Sequence, residues 1–188
     1  MKAIPKNAAL ILIDIQQGFD EAQHWGERNN PGAEANAGRL LQAWRASGRP
    51  RFHVQHRSTN PGSPLRPGQP GCDFKAAVEP QAGEPVIGKQ VNSAFIGTDL
   101  EAQLRKAGID TLVIAGLTTA HCVSTTTRMA GNLGFRTYLA ADACATHAQT
   151  GHDGRAFDPE TVHALALASL HGEFAEVTET ATLLGSLE

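Results

Sequence analysis

A reactive side chain stands at the end of each of four apolar runs in this sequence. Asp14 ends the first run, His56 the second and Lys89 the third, and Cys122 follows the fourth after a glycine-containing turn. If the runs are strands of one open α/β sheet, their carboxyl ends lie at one edge, where reactive groups and ligands collect. The sequence therefore predicts that these four side chains converge.

Cys122 is the candidate nucleophile of this group. It falls in the first turn of a predicted helix, where the helix dipole and free N–H groups favour a thiolate. Asp14 is the candidate general base, and Lys89 the cation that lowers the thiol pKa and keeps Asp14 ionised. The structural alternatives are a strand-end Asp bonded to backbone amides, a solvated strand-end Lys and a buried Cys. Cys72 and Cys144 lack an activating neighbourhood, so burial as small apolar side chains is the interpretation for them.

The elements that position these residues follow from the hydropathy pattern. Apolar runs alternate with helical patterns, which predicts a parallel sheet covered by helices on both faces. The predicted strands are 9–15, 52–55, 85–88, 111–115, 136–140 and 174–178, and the predicted helices are 33–47, 98–108, 119–133 and 158–171. Two helix starts carry capping signals: Thr98 with Glu101 as a capping box, and Asp158 followed by Pro159. We expect one domain over residues 1–188.

Composition excludes several classes of protein. The 188 residues carry a formal net charge of −3 and are 41% hydrophobic, with no basic block and no apolar run long enough to span a bilayer. The three cysteines form no zinc-type spacing and suit a reducing cytoplasm. We therefore expect a cytoplasmic protein whose partner is a small-molecule substrate, without nucleic-acid or membrane partners.

The segment 59–72 interrupts the regular pattern. Four prolines and interspersed glycines prevent both helix and strand there. A loop this long inside a compact domain is often functional. It either lies over the site as a lid or connects the second strand to the third, and the sequence leaves both interpretations open.

Three motifs together resemble one family. They are Asp14-Ile15-Gln16-Gln17-Gly18-Phe19, then Lys89 with Asn92-Ser93-Ala94-Phe95, and Gly116-Leu117-Thr118-Thr119-Ala120-His121-Cys122-Val123. In this order they resemble the isochorismatase-like cysteine hydrolases, over about residues 9–176. The resemblance implies a three-layer α/β/α sandwich with a six-stranded parallel sheet. It also implies that Asp14, Lys89 and Cys122 form a catalytic triad, and that the chain forms a homo-oligomer.

A cysteine hydrolase needs donors for the oxyanion of its tetrahedral intermediate. The backbone N–H of Cys122 is one candidate, and the family pattern makes the N–H of Thr118 the other. The same pattern implies a cis peptide bond between Leu117 and Thr118.

The substrate follows less directly from the sequence. A retained Cys122 favours hydrolysis of a C–N bond (amide, carbamoyl or ureido) through a thioester over the vinyl-ether hydrolysis of true isochorismatases, which stays the alternative. Phe19 and His56 are the strongest candidates to bind substrate, and Trp25, Phe95 and His121 could also line the pocket.

Two further interpretations stay open. One is a non-catalytic, redox-responsive scaffold built on Cys122. The other is a Cys–His hydrolase with His147 or His121 as the base.

We expect no cofactor and no metal. Nicotinamidases of this family carry an Asp-x-His pair after the second strand, and this chain has His56-Arg57-Ser58 there. His53 and His56 are three apart on a strand, so their side chains point to opposite faces of the sheet.

Overall fold

The computed structural model describes residues 3–187. Its strands are β1 (Ala9–Ile13), β2 (Arg51–His56), β3 (Val86–Lys89), β4 (Thr111–Leu117), β5 (Arg136–Ala145), β6 (Gln149–Thr150), β7 (Ala156–Phe157) and β8 (Glu176–Thr178). Its α-helices are α1 (Ala22–Trp25), α2 (Ala33–Ala46), α3 (Leu100–Lys106), α4 (Ser124–Asn132), α5 (Pro159–Ala168) and α6 (Thr180–Leu184). Short 3₁₀ turns cover Gln17–Asp20, Pro70–Cys72 and Ala76–Val78, and a π-helical turn covers Thr119–Val123.

Six of these strands form one parallel sheet in the order β3-β2-β1-β4-β5-β8. This confirms the predicted six-stranded parallel sheet. The chain builds outward from β1 in one direction and from β4 in the other, so the strand order reverses between β1 and β4. Ligands of open α/β sheets bind beyond the carboxyl ends of the strands at such a switch point.

Helices cover both faces of the sheet, as predicted. Alternate residues of β1 separate two apolar clusters: Leu10 and Leu12 pack with α2 and α6, whereas Ile11 and Ile13 pack with α3 and α4. Every residue of β1 and β4 is buried, as expected for strands covered on both faces. No helix within residues 3–187 is long and apolar enough to cross a membrane.

Strand ends depart from the predicted bounds. β1 stops at Ile13 rather than residue 15, because Asp14 adopts a left-handed conformation with φ of 51°. β5 continues past residue 140 to Ala145, although its pairing with β4 shifts register between Ile114 and Gly116. Both irregularities lie at the edge of the sheet that holds the predicted site, where strained backbone is often found.

The two capping predictions differ in outcome. Asp158 caps α5 as predicted, and its side chain accepts a hydrogen bond from the N–H of Thr161 at 2.8 Å. The capping box at Thr98 is wrong: α3 begins at Leu100, and the Thr98 hydroxyl instead donates to Ala94 O at 2.6 Å. The hydroxyl therefore stabilises mainly the preceding turn, and its contact with the helix start is a long one, 3.4 Å from Leu100 N.

Candidate active site

An ion pair between Asp14 and Lys89 forms the floor of the site. Lys89 Nζ lies 2.6 Å from Asp14 Oδ2, and both side chains are fully buried. The sheet register explains the contact, because Lys89 pairs with His56 at the end of β2 while Asp14 follows directly on β1, the next strand. Burying two opposite charges together avoids the cost of burying either alone.

Lys89 binds His56 as well as Asp14. Its ammonium donates to His56 Nδ1 at 3.0 Å and to the Val91 carbonyl at 3.1 Å. Burial and then the Lys89 charge lower the pKa of His56 to about 4. His56 is therefore a neutral imidazole at physiological pH, with its proton on Nε2 because Nδ1 accepts from Lys89.

Gln16, which the sequence analysis did not single out, holds the backbone of His56. The fully buried Gln16 amide accepts from His56 N at 2.9 Å and donates to His56 O at 3.0 Å. Gln16 also donates to Cys72 O at 2.8 Å, which ties the loop after β2 to the end of β1. The available signal was a Gln placed two residues after Asp14, at the end of an apolar run.

Cys122 lies beside this pair, in the π-helical turn that precedes α4. Ligand atoms of Asp14, His56 and Cys122 all lie within 4.8 Å of one another, and the thiol contacts Asn92 Oδ1 at 3.8 Å. The structure thus brings together all four side chains that the strand ends predicted.

The electrostatics of Cys122 differ from the sequence-based prediction. Burial raises the pKa of the thiol far above its usual range, the Asp14 charge raises it further, and Lys89 lowers it by less. Burial also raises the pKa of the Asp14 carboxyl, against the opposing effect of Lys89. The expectation of a low thiol pKa is therefore wrong for the resting site, because it considered the helix dipole and Lys89 but not desolvation.

The predicted oxyanion donors are the backbone N–H groups of Thr118 and of Cys122 itself. The peptide bond between Leu117 and Thr118 is cis, as the family resemblance implied. Among the hydrogen bonds of residues 3–187, none has the Thr118 N–H as donor. The role of the Thr118 and Cys122 N–H groups as oxyanion donors stays a prediction.

A cavity of about 320 Å³ opens over the thiol. Phe19 and Trp25 form one wall, with their ring centroids 4.9 Å apart, and Trp25 Nε1 donates to Gly18 O at 2.8 Å. His56, Thr118, His121 and Cys122 also line the cavity. Phe19, Trp25, His56 and His121 thus lie where the sequence placed them.

Two other candidates lie outside the cavity. Phe95 is partly buried against the core, with its ring centroid 5.9 Å from that of Phe135, and it does not line the cavity, so the prediction that it lines the pocket is wrong. His147 is buried behind the aromatic wall, 5.7 Å from Trp25 and 6.2 Å from Phe19. A base for Cys122 at His147 is therefore disfavoured relative to Asp14.

The loop 59–72 supplies the opposite wall. Ser58, Asn60, Ser63 and Leu65, in or directly before this loop, line the cavity. The loop packs closely on the segment after β1, because a Cβ on Gly18 would lie 2.8 Å from Gly71 O and a Cβ on Gly71 would lie 3.1 Å from Gly18 Cα. The loop therefore forms part of the site as well as connecting β2 to β3.

Asp14, His56 and Cys122 are also the side chains that could hold a metal ion. A carboxylate, an imidazole and a thiol are suitable zinc ligands. The Lys89 ammonium already contacts two of them, Asp14 and His56, so a cationic group occupies the space between these donors. His53 takes no part, because its Nε2 contacts Glu84 at 2.9 Å.

Comparison with known proteins assigns the family. The isochorismatase domain model matches residues 8–182. The uncharacterized isochorismatase family protein YrdC of Bacillus subtilis is 47% identical over 176 residues, which cover 94% of each chain. Maleamate amidohydrolase of Pseudomonas putida is 38% identical over 91 residues, which cover 48% of this chain and 43% of that protein.

Solved structures support the same family assignment. A hydrolase of the isochorismatase family from Chromobacterium violaceum superposes with a TM-score of 0.95 and 49% identity, covering 99% of this chain and 96% of that one. A cysteine hydrolase from Pseudomonas syringae superposes with a TM-score of 0.88 and 25% identity, covering 99% and 94%. The chain belongs to the isochorismatase family of hydrolases.

Proposed function

We propose that this hydrolase cleaves a C–N bond of a small molecule, an amide, carbamoyl or ureido group, through a thioester on Cys122. The observation that carries the proposal is the placement of the Cys122 thiol beside a buried carboxylate that is itself paired with an ammonium. The named activity of the Pseudomonas putida relative, an amidohydrolase, supports the bond class.

In the first half-reaction Asp14 takes the thiol proton as Sγ attacks the carbonyl carbon. The carbonyl π electrons move to oxygen, and the Thr118 and Cys122 N–H groups are the proposed donors to this oxyanion. When the carbonyl re-forms, the C–N bond breaks, and Asp14 returns the proton to the leaving nitrogen. The products of this half-reaction are a thioester and a free amine.

Water completes the cycle. Asp14 removes a proton from water as the water oxygen attacks the thioester carbonyl, and the sulfur leaves as Cys122 regains the proton. Asp14 thus alternates between base and acid, and its raised pKa suits both roles because proton transfer is most efficient near the operating pH.

The high thiol pKa decides when the thiolate forms. A preformed thiolate next to the Asp14 charge is unfavourable, so proton transfer to Asp14 must accompany attack on the substrate. The same property weighs against a redox-sensing role, because sensor thiols are accessible and of low pKa. Cys122 is 7% exposed.

The test is turnover of a panel of small primary amides, ureido acids and isochorismate by the purified protein. Cys122→Ala should abolish turnover, and Asp14→Asn should lower it at least about 100-fold because the base is lost. Cys144→Ala, which removes a buried thiol of the sheet core, is the matched control and should retain activity. Trapping with hydroxylamine should yield a hydroxamate only when Cys122 is present.

Two results would contradict the proposal. One is hydrolysis of isochorismate with no turnover of any amide or ureido compound. The other is amide hydrolysis that survives the Cys122→Ala change.

A further inference from the structure

The walls of the cavity carry no permanent charge. The polar side chains that line it are Ser58, Asn60, Ser63, Asn92 and Thr118, and the rest are apolar or aromatic side chains, Cys122 and three histidines. Within residues 3–187, the lining includes no Lys, Arg, Asp or Glu. Recognition of a carboxylate normally uses a Lys or Arg that offers charge-assisted hydrogen bonds.

Lys89, directly below the cavity, cannot supply that cation. The Lys89 ammonium is already in contact with three groups: it forms an ion pair with Asp14 Oδ2 at 2.6 Å and hydrogen bonds with His56 Nδ1 and Val91 O at 3.0 and 3.1 Å. The Lys89 side chain has no exposed surface, and its charge is balanced by Asp14. A substrate carboxylate would therefore find neither a free donor nor net positive charge at the floor.

The histidines that line the cavity do not supply the missing cation either. His56 is held neutral by the Lys89 ammonium at its Nδ1, which leaves its Nε2–H, without a partner among the described residues, as an uncharged donor. His121 is exposed on one side, and desolvation of the rest of its ring lowers its pKa. His24 lies at the exposed mouth, edge-on to Trp25 at 4.5 Å.

Two arginines close in sequence to the cavity bind other side chains, and a third, Arg66, follows the lining residue Leu65 but is not itself among the lining residues. Arg57 donates to Gln55 Oε1 at 3.0 Å and lies over Gly88. Arg28 binds Glu34 at 2.7 Å. A carboxylate entering the cavity would lose its hydration without gaining an ion pair, which is unfavourable.

On the basis of the proposed function, we infer that the site selects by charge: it takes uncharged amides or ureas and rejects analogues that carry a carboxylate. His56 is the specificity-determining residue in this scheme. It presents a neutral N–H donor where an acidic substrate would need a cation.

The test uses two alkylating agents that differ in charge, iodoacetamide and iodoacetate, on the intact protein at pH 8, where imidazoles are neutral. Peptide mapping gives the rate at Cys122, normalised to glutathione. We expect the normalised ratio of iodoacetamide to iodoacetate to be at least about tenfold in favour of the amide. Asn60→Arg, which adds a cation at the exposed rim, should lower the ratio about threefold, whereas Asn60→Gln should not change it.

Hydrolysis of succinamide and succinamate, measured in parallel, separates this inference from the proposed function. Turnover that favours succinamate, or a normalised alkylation ratio near one, overturns charge selection and leaves the amidase proposal standing. A tenfold alkylation ratio without hydrolysis of any amide supports charge selection and contradicts the amidase. If Cys122, whose thiol pKa is raised, reacts with neither reagent at a measurable rate, the turnover of the two substrates decides: a preference for succinamide of at least about tenfold supports charge selection, and a ratio near one overturns it.

Discussion

At the scale of single residues, the Lys89 ammonium lies among side chains that could otherwise bind a metal ion. Asp14, His56 and Cys122 converge, and the ammonium contacts the first two. Lys89 thus neutralises Asp14 and holds His56 uncharged at once. Lys89, a single residue at the end of β3, therefore controls the charge state of Asp14 and His56.

This placement predicts how the site responds to metal. Dialysis of the wild-type protein against EDTA should leave its amidase rate unchanged, because Lys89 occupies the space between the donors. Lys89→Met should remove the ammonium while keeping a similar volume, so the variant should gain stoichiometric binding of Zn²⁺ measured by calorimetry.

The double variant Lys89→Met, Asp14→Asn is the control and should bind Zn²⁺ more weakly than the single variant. A stoichiometric metal on the wild-type protein, with activity lost on its removal, would refute this account and favour a metal-dependent reaction.

The residue types and strand ends were sufficient to predict the convergence of Asp14, His56, Lys89 and Cys122. They were insufficient for the thiol pKa, because desolvation depends on how many atoms surround Cys122 and not on its neighbours in sequence. The misplacement of Phe95 has a similar origin: sequence proximity to Lys89 did not reveal that its ring turns into the core.

At the scale of elements, the approach of β4 to β1 sets the distance between base and nucleophile. Gly116 pairs with Ile13, the residue before Asp14, and has φ of 142°. A Cβ on Gly116 would lie 2.1 Å from Ile13 O. Only glycine permits this contact, since both the conformation and the space exclude a side chain.

Gly116→Ala should therefore lower the free energy of unfolding by at least about 3 kcal/mol, from overpacking and backbone strain together. It should also lower turnover, because separating the strands moves Asp14 from Cys122. Urea denaturation and the amidase assay measure the two effects.

Gly134→Ala is the matched control. Gly134 has φ of 81° with nothing within 4 Å of an added Cβ, so this change should cost about 1 kcal/mol and leave turnover intact. Equal effects of the two substitutions would show that the close approach at Gly116 is unimportant.

The sequence predicts the helices and strands better than the residues at which they begin and end. The Asp158 cap was recognisable because Pro159 follows it, whereas α3 begins at Leu100, one residue later than the spacing of Thr98 and Glu101 predicted. The π-helical turn that carries Cys122 left no sequence signal that distinguishes it from the first turn of α4.

At the scale of the whole molecule, one end of the sheet carries the candidate active site and the other carries an ion cluster that stabilises the fold. The reactive side chains lie beyond the carboxyl ends of the strands. An ion cluster lies near the opposite ends of β2 and β3, where Glu84 contacts Arg45 at 2.7 Å, Arg51 at 2.5 Å and the buried His53 at 2.9 Å. Glu84 thereby joins α2, β2 and the segment before β3, so stability and catalysis should be separable.

Glu84→Gln should lower the free energy of unfolding by about 3 kcal/mol at pH 7, because it leaves two arginines and a buried histidine without their shared carboxylate. Turnover and Cys122 alkylation should not change. Glu101→Gln, which removes an exposed pair with Arg105 on α3, is the control and should cost less than about 0.5 kcal/mol.

The pH dependence of that difference tests the cause. The hydrogen bond from Arg45, despite an opposing effect of burial, lowers the pKa of Glu84 well below its usual value. A carboxyl with a lowered folded-state pKa stabilises the protein above its unfolded pKa of about 4.3 and loses that contribution as pH falls. The gap in unfolding free energy between wild type and Glu84→Gln should therefore be full at pH 7 and shrink below about pH 4. A gap that stays constant from pH 7 to pH 3 would mean that Glu84 stabilises the sheet by packing rather than by its charge.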